Sequence, residues 1–172
     1  MAISGWFNPQ FEIGSGDNFI IGDPTALTGF KTYLNDSEFK IMVNGNTVTF
    51  NHGLSLEKRW YGFTLNISNE FSTTSLSIYN LNESGLPQSA TSKLTEVFNE
   101  VKPSGLVWNS NYNFQIRGNS MYMTNIRVFD QMIEEEQRSN ILNQYIVRDN
   151  QLAKLIDNAI PSIGFQKFRH TR

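Results

Sequence analysis

Residues 121–144 constrain this chain most, because the hydrophobic period changes inside them: MYMTNIRVF alternates in twos, and the following DQMIEEEQRSNILNQ does not. Successive side chains of a β-strand point to opposite faces. Met121, Met123, Asn125, Arg127 and Phe129 should share one face of a single pleated segment, with Tyr122, Thr124, Ile126 and Val128 on the other. Past Asp130 the spacing turns helical, with Ile141, Leu142, Tyr145 and Ile146 recurring behind the acidic triplet Glu134–Glu136. Acids in a first turn complement the positive end of the helix dipole, and Asp130 or Gln131 is placed to cap it. A closing strand that passes at once into a short helix over 131–148 is the frame for everything upstream.

Upstream, alternation dominates. Phe39, Ile41 and Val43 alternate with Glu38, Lys40 and Met42, and Asn44-Gly45 then turns the chain into Asn46–Phe50. Asn-Gly is the preferred two-residue hairpin turn, so this is the clearest hairpin. In Arg59–Ser68, Tyr61, Phe63, Leu65 and Ile67 oppose Trp60, Gly62, Thr64 and Asn66. Asn69-Glu70 turns that strand into Thr73–Leu81. Ile3–Phe7, Phe19–Ile21, Leu27–Tyr33 and Asn113–Arg117 complete the strand set, the first interrupted by Pro9. Asn82–Ser92 reads as an exposed loop, and Leu94–Val101 fits a short helix or an irregular strand equally. Hairpins at this spacing, with one late helix, argue an all-β two-sheet antiparallel sandwich.

Composition agrees and sets limits. Roughly 20 asparagines favour turns and left-handed positions. A chain of 172 residues is one domain that buries roughly 70% of its unfolded surface. A net charge of −2, with 17% charged residues, gives no general attraction to nucleic acid or to an anionic membrane. No apolar run approaches the ~20 residues of a membrane span. The opening MAISGWF lacks the basic and apolar regions of a secretory signal. The absence of cysteine removes disulfides, zinc–thiolate sites and a thiol nucleophile.

Three anchors carry a family resemblance. Ile3-Ser4-Gly5-Trp6-Phe7 resembles the opening inner strand of concanavalin A-like jelly rolls, in particular the laminin-G-like branch. Leu56–Phe63 looks like that family's middle strand, and Thr124–Phe129 with Ile133–Glu136 is similar to its closing strand and short helix. The likeness covers roughly residues 2–146 and implies a jelly-roll sandwich. The family carries earlier strands, which would make Met1-Ala2 the start of an excised piece. The LNQYIVRD continuation also looks like virion structural proteins of large tailed bacteriophages that carry such jelly rolls. The resemblance therefore implies a jelly-roll sandwich over 1–130, a helix packed on it over 131–148 and an extension over 149–172.

Catalytic chemistry finds little support in the residues. Glucanases on this fold carry two glutamates and an aspartate as E-x-D-x-x-E on one strand, so that acid and nucleophile face each other across the glycosidic bond. That spacing does not occur, and Glu134, Glu135 and Glu136 would point around a helix, with Glu134 pairing to Arg138 at i,i+4. His52 and His170 have no triad partners, and two distant histidines make a poor metal site. Gly14-Ser15-Gly16 precedes no helix and reads as a turn.

Binding has more to offer. Asp17, Asp23, Asp36 and Glu38 lie in or beside loops and could supply oxygens to calcium, though without an Asp-x-Asp run. No other cofactor is expected. Trp108, Asn109, Asn111 and Tyr112 are the candidate glycan contacts, an indole and a phenol to stack on a pyranose with amides to fix hydroxyls. The opposing expectation is that Trp6, Trp60 and Trp108 fill the core. Asn35, Asn66 and Asn82 head glycosylation triplets, discounted without a secretory signal.

The expected function is a non-enzymatic structural or adhesive module of a larger assembly, a virion or extracellular part contacting other structural chains or a surface glycan. The alternative is a lectin-like carbohydrate-binding module of a larger extracellular protein. A hydrolase with acids on distant strands ranks third.

Overall fold

The computed structural model describes residues 1–10, 16–23, 29–81, 94–108, 115–116 and 120–144. Its strands are β1 Ala2–Pro9, β2 Asn18–Gly22, β3 Phe30–Leu34, β4 Glu38–Val43, β5 Asn46–Asn51, β6 Tyr61–Ser68, β7 Thr73–Leu81, β8 Leu94–Pro103, β9 Gln115–Ile116 and β10 Met121–Phe129. A helix, α1, covers residues 135–144. Two five-stranded sheets form, ordered β10-β1-β6-β7-β8 and β5-β4-β3-β2-β9, with antiparallel pairing throughout. The molecule is an antiparallel β-sandwich with a short C-terminal helix.

The alternating residues fill the space between the sheets. Tyr61, Phe63, Leu65 and Ile67 of β6 join Ile3, Phe7, Leu76 and Ile78 from the first sheet and Phe30, Leu34, Phe39, Ile41 and Phe50 from the second. Phe63 meets Phe39 across the gap at 6.1 Å, and Phe7 stacks on Tyr61 at 5.5 Å. Each such side chain contributes about 1.5–3 kcal/mol on burial. The β4–β5 turn takes the backbone its residues favour, with φ of 49° at Asn44 and 85° at Gly45.

Several local expectations are corrected. β1 runs two residues past the expected Phe7 and ends at Pro9, paired with Met121. Pro9 sits beside the edge strand, at a position where its missing N–H is tolerated. Of the two alternatives open for residues 94–101, the irregular strand holds, because β8 completes the sheet edge along the whole of β7. β10 is not a single uninterrupted pleat. Its register to β1 shifts between Ser4 and Trp6, so that Gly5 alone lies opposite Asn125 and Ile126, and Asn125 takes φ 52°. This bulge reverses the phase. Met121 and Met123 reach the core before it, and Ile126 reaches the core after it. The bulge needs Gly5, since a Cβ there would collide with the Ile126 side chain.

The helix lies on the outer face of the first sheet. Leu142 is buried with Trp6 and Tyr79, and a Cβ on Gly62 would come within 2.8 Å of Leu142 Cδ1. Trp60 packs half-buried at this outer cluster and not in the main core. The cap is Glu134 rather than Asp130 or Gln131, with Gln137 Oε1 accepting from the Glu134 N–H at 3.3 Å. Arg138 does not pair with Glu134. It turns inward and is buried, donating to Ser77 Oγ at 2.8 Å. The expected continuation to 148 and the extension over 149–172 lie outside the described residues, as does the 82–92 loop.

Candidate functional site

At one end of the sandwich, the β6–β7 turn is tied to the segment that follows β8. Asn69 Oδ1 accepts from the Trp108 N–H at 2.7 Å and Nδ2 donates to the Trp108 carbonyl at 3.1 Å, so one side chain holds both backbone groups. The Ser104 N–H donates to the Ser72 carbonyl at 2.7 Å, and Thr74 Oγ1 donates to Ser104 Oγ at 2.7 Å. Ser68 Oγ accepts from the Phe71 N–H at 3.1 Å, which orders the turn from within. Backbone polar groups at a loop end otherwise turn to water, and here side chains satisfy them instead. The stitched segments carry exposed apolar groups, Phe71 at 65% and Val107 at 62% exposure.

Trp108 is half-buried. Its ring meets Phe30 edge-on at 5.5 Å and packs against the main core, so the indole anchors the segment as well as edging the surface. Asn109, Asn111 and Tyr112, the other proposed glycan contacts, lie outside the described residues.

Of the four acids considered for calcium, the structure brings two together. Asp17 Oδ2 and Glu38 Oε2 each stand 3.0 Å from Lys40 Nζ, and Asn35 Nδ2 donates to Asp17 Oδ1 at 2.8 Å. An ammonium therefore occupies the space between the carboxylates. Hydrogen bonds from Lys40 and then Asn35 hold the Glu38 carboxyl below its ordinary range, and the bond to Asp17 leads those that raise the Lys40 ammonium. Asp23 follows β2, its backbone N–H donating to the Phe30 carbonyl at 2.9 Å, and Asp36 sits in the β3–β4 turn. Among the described residues, no three acidic, histidine or cysteine side chains group as a metal site.

Other sequence candidates resolve differently. Glu134, Glu135 and Glu136 are exposed at the helix start. Asn66 is 3% exposed and bonded on both sides of its amide, which leaves no room for a glycan on the folded chain. Asn35 spends its amide on Asp17 and the turn it caps. Asn69 and Lys40 went unrecognised in the sequence. The abundance of Asn was the available signal for the first, and the alternation of Glu38 with Lys40 on one strand face for the second.

Comparison with known proteins finds no matching family model and no matching curated relative. Among the described residues, no helix is long and apolar enough to cross a membrane.

Proposed function

We propose that the chain is a non-catalytic contact module, structural or adhesive, within a larger assembly, and that the assembly is a bacteriophage virion. The observation that carries this reading is the Asn69–Trp108 clamp beside exposed Phe71 and Val107. A loop end whose backbone is already fixed loses little freedom on binding, and its apolar side chains gain by leaving water. The carboxylates agree with a contact role. A general acid needs a raised pKa, and Glu38 is shifted the other way by its ion pair. The virion assignment draws on the strand motifs and the LNQYIVRD continuation.

A second reading, a carbohydrate-binding module of an extracellular protein, draws on Trp108, a half-buried indole whose backbone Asn69 holds in place. Aromatic rings with fixed polar neighbours are the usual means of gripping a pyranose. One experiment addresses both. The purified chain, its Phe71→Ser variant and its Trp108→Ala variant are screened on a glycan array with and without chelator, and virus particles purified from the source culture are assayed for the chain by mass spectrometry. The contact-module reading expects the chain in particles and no saturable glycan binding. Saturable binding lost in Trp108→Ala but kept in Phe71→Ser moves the assignment to the second reading. Cleavage of an arrayed glycan would overturn both.

A further inference from the structure

His52 sits where β5 leaves the second sheet, at the start of the irregular segment over 52–60 that crosses to β6 in the first sheet. The ring is 6% exposed and makes two hydrogen bonds of opposite sense. Its Nδ1 stands 3.1 Å from the Leu54 backbone nitrogen, which has only a hydrogen to offer, so Nδ1 accepts. Its Nε2 stands 3.3 Å from the Asn35 carbonyl, which can only accept, so Nε2 donates. A single protonation state satisfies both contacts: the neutral imidazole with its hydrogen on Nε2.

The ring thereby joins two separate stretches of chain. The β3–β4 turn is further tied to the crossover by the His52 N–H, which donates to the Ser37 carbonyl at 2.9 Å. On the far side, Leu54 and Leu56 lie half-buried against the main core, and Phe98 of β8 meets the imidazole edge-on at 6.5 Å. The Leu54 N–H is the crossover's bond to the ring, so the seating of Leu54 depends on the lone pair at Nδ1, while further along the Glu57 N–H is held separately by the Tyr61 hydroxyl at 3.1 Å.

We propose that His52 is an acid-sensitive latch that holds the start of the 53–60 crossover, at Leu54, against the sandwich. A proton taken from solvent onto Nδ1 sets an N–H against the Leu54 N–H, and no rotation of the backbone amide can supply an acceptor. The hydrogen bond is lost, the imidazolium is left in a buried position, and the start of the crossover lifts with Leu54, ahead of the Glu57 contact to Tyr61. The contact to Asn35 survives, because Nε2 donates in both states. Opening is therefore one-sided, on the crossover and not on the β3–β4 turn.

The surroundings set the direction of the response. Burial is the largest influence and holds the ring below the ordinary histidine value of 6.5, against smaller opposing effects of the Asn35 carbonyl and of Asp36 and Glu38. Glu38 is itself paired with Lys40. β8 presents uncharged Phe98, with Glu100 and Lys102 of that strand paired to each other at 3.4 Å, and in the crossover Glu57 pairs with Arg59 at 3.3 Å. No carboxylate bonds to the ring among the described residues. A folded-state value below the open-state value means that the closed form binds protons less readily. The latch is thus fully closed above 6.5 and weakens as the pH falls from there towards the folded-state value.

The reference for His52 is the same ring in the chain unfolded in urea. The full chain, labelled at histidine and at backbone nitrogen, is titrated by NMR from neutral to mildly acid pH while exchange of the Leu54 amide is followed. Exchange is corrected for its intrinsic pH dependence. The latch expects His52 to titrate below its value in the unfolded chain, and the opening constant at Leu54 to rise about tenfold per pH unit between the two values. The Thr32 amide, inside β3, should not respond. In His52→Gln, whose side chain can accept and donate at once but does not titrate, the acid response of Leu54 should vanish. Titration of His52 at its unfolded value, a Leu54 amide indifferent to pH, or an unchanged acid response in His52→Gln would each overturn the proposal. The wild-type titration decides by itself should His52→Gln not fold.

Discussion

Asn66 holds Ile133 by both of its backbone groups: Oδ1 accepts from the Ile133 N–H at 2.9 Å, and Nδ2 donates to the Ile133 carbonyl at 3.0 Å. The amide stands on the outer face of β6, in the middle of a sheet, and presents the same pattern of donor and acceptor as a paired strand. It thereby fixes where the chain descends from β10 onto that face, one residue before the helix cap at Glu134. Asn69 repeats the device three residues on, at the sandwich end, with Trp108 as its partner. One strand and its turn thus pin two remote segments without any regular pairing.

Replacing Asn66 by Ala leaves a buried N–H and a buried carbonyl without partners. The expected loss of stability is about 2–4 kcal/mol, read as a lower urea midpoint at unchanged slope. Asn66→Asp keeps an acceptor for the Ile133 N–H but sets a buried anionic oxygen against the Ile133 carbonyl, and should cost at least as much as Asn66→Ala at neutral pH. A change within about 0.5 kcal/mol for Asn66→Ala would mean that water replaces the clamp at no cost.

Gly62 is the floor on which Leu142 rests. Gly62→Ala places a methyl 2.8 Å from Leu142 Cδ1 and should cost about 1–3 kcal/mol by overpacking. Leu142→Ala should cost about 2–4 kcal/mol by leaving a void against Trp6 and Tyr79. Together the two changes should cost less than their sum by about 1 kcal/mol or more, because the methyl partly fills the void. Strict additivity in a double-mutant cycle would show that the helix does not rest on Gly62 in solution.

Tyr79 should titrate late. Burial beneath the helix, and then its hydrogen bond to Glu96 Oε2 at 3.0 Å, push the phenol from 10.0 up to about 12. The folded value lies above the unfolded one, so this contribution to stability is whole below pH 10 and is lost as the pH climbs towards about 12. Ultraviolet phenolate absorbance should show an ionisation at this late value, absent from Tyr79→Phe. Glu96→Gln should lower that late value while leaving it above 10. A wild-type Tyr79 ionising with the exposed tyrosines would contradict the buried placement.

Legibility followed the regularity of the strands. In β4 to β7 each residue obeys a strict period of two, so Phe39, Ile41, Phe63 and Leu65 could be placed inward from the sequence, and Asn44-Gly45 could be placed as the turn. Where a bulge interrupts the pleat the period fails. β8 shifts register against β7 between Ile78 and Tyr79, and LTEVFNEVKP accordingly fits an irregular strand no better than a short helix. β10 changes phase at Asn125, which hid the inward turn of Ile126. Gly5 in β1 was the visible trace of that bulge, but only its neighbour across the sheet explains it.

The candidate site was less legible. Trp108 drew attention as an aromatic beside asparagines, but its edge contact with Phe30 and its backbone clamp from Asn69 join residues 39 or more positions apart. Asp17 and Glu38 looked like open oxygen ligands until the fold set Lys40 between them. Arg138, at helical spacing from Glu134, was drawn inward to Ser77.

By itself, the sequence determined the class of the protein: alternating apolar residues, turn-forming asparagines and one late helical stretch can bury their apolar faces together only as a sandwich of antiparallel sheets. Which side chains hold its ends and its helix was decided by tertiary structure alone. Patterning acts between neighbours in the chain and specifies which face of a strand is inward. A clamp such as Asn66 on Ile133, or an acceptor such as His52 for Leu54 against Asn35, depends on atoms brought within 3.3 Å only after the sheets have paired.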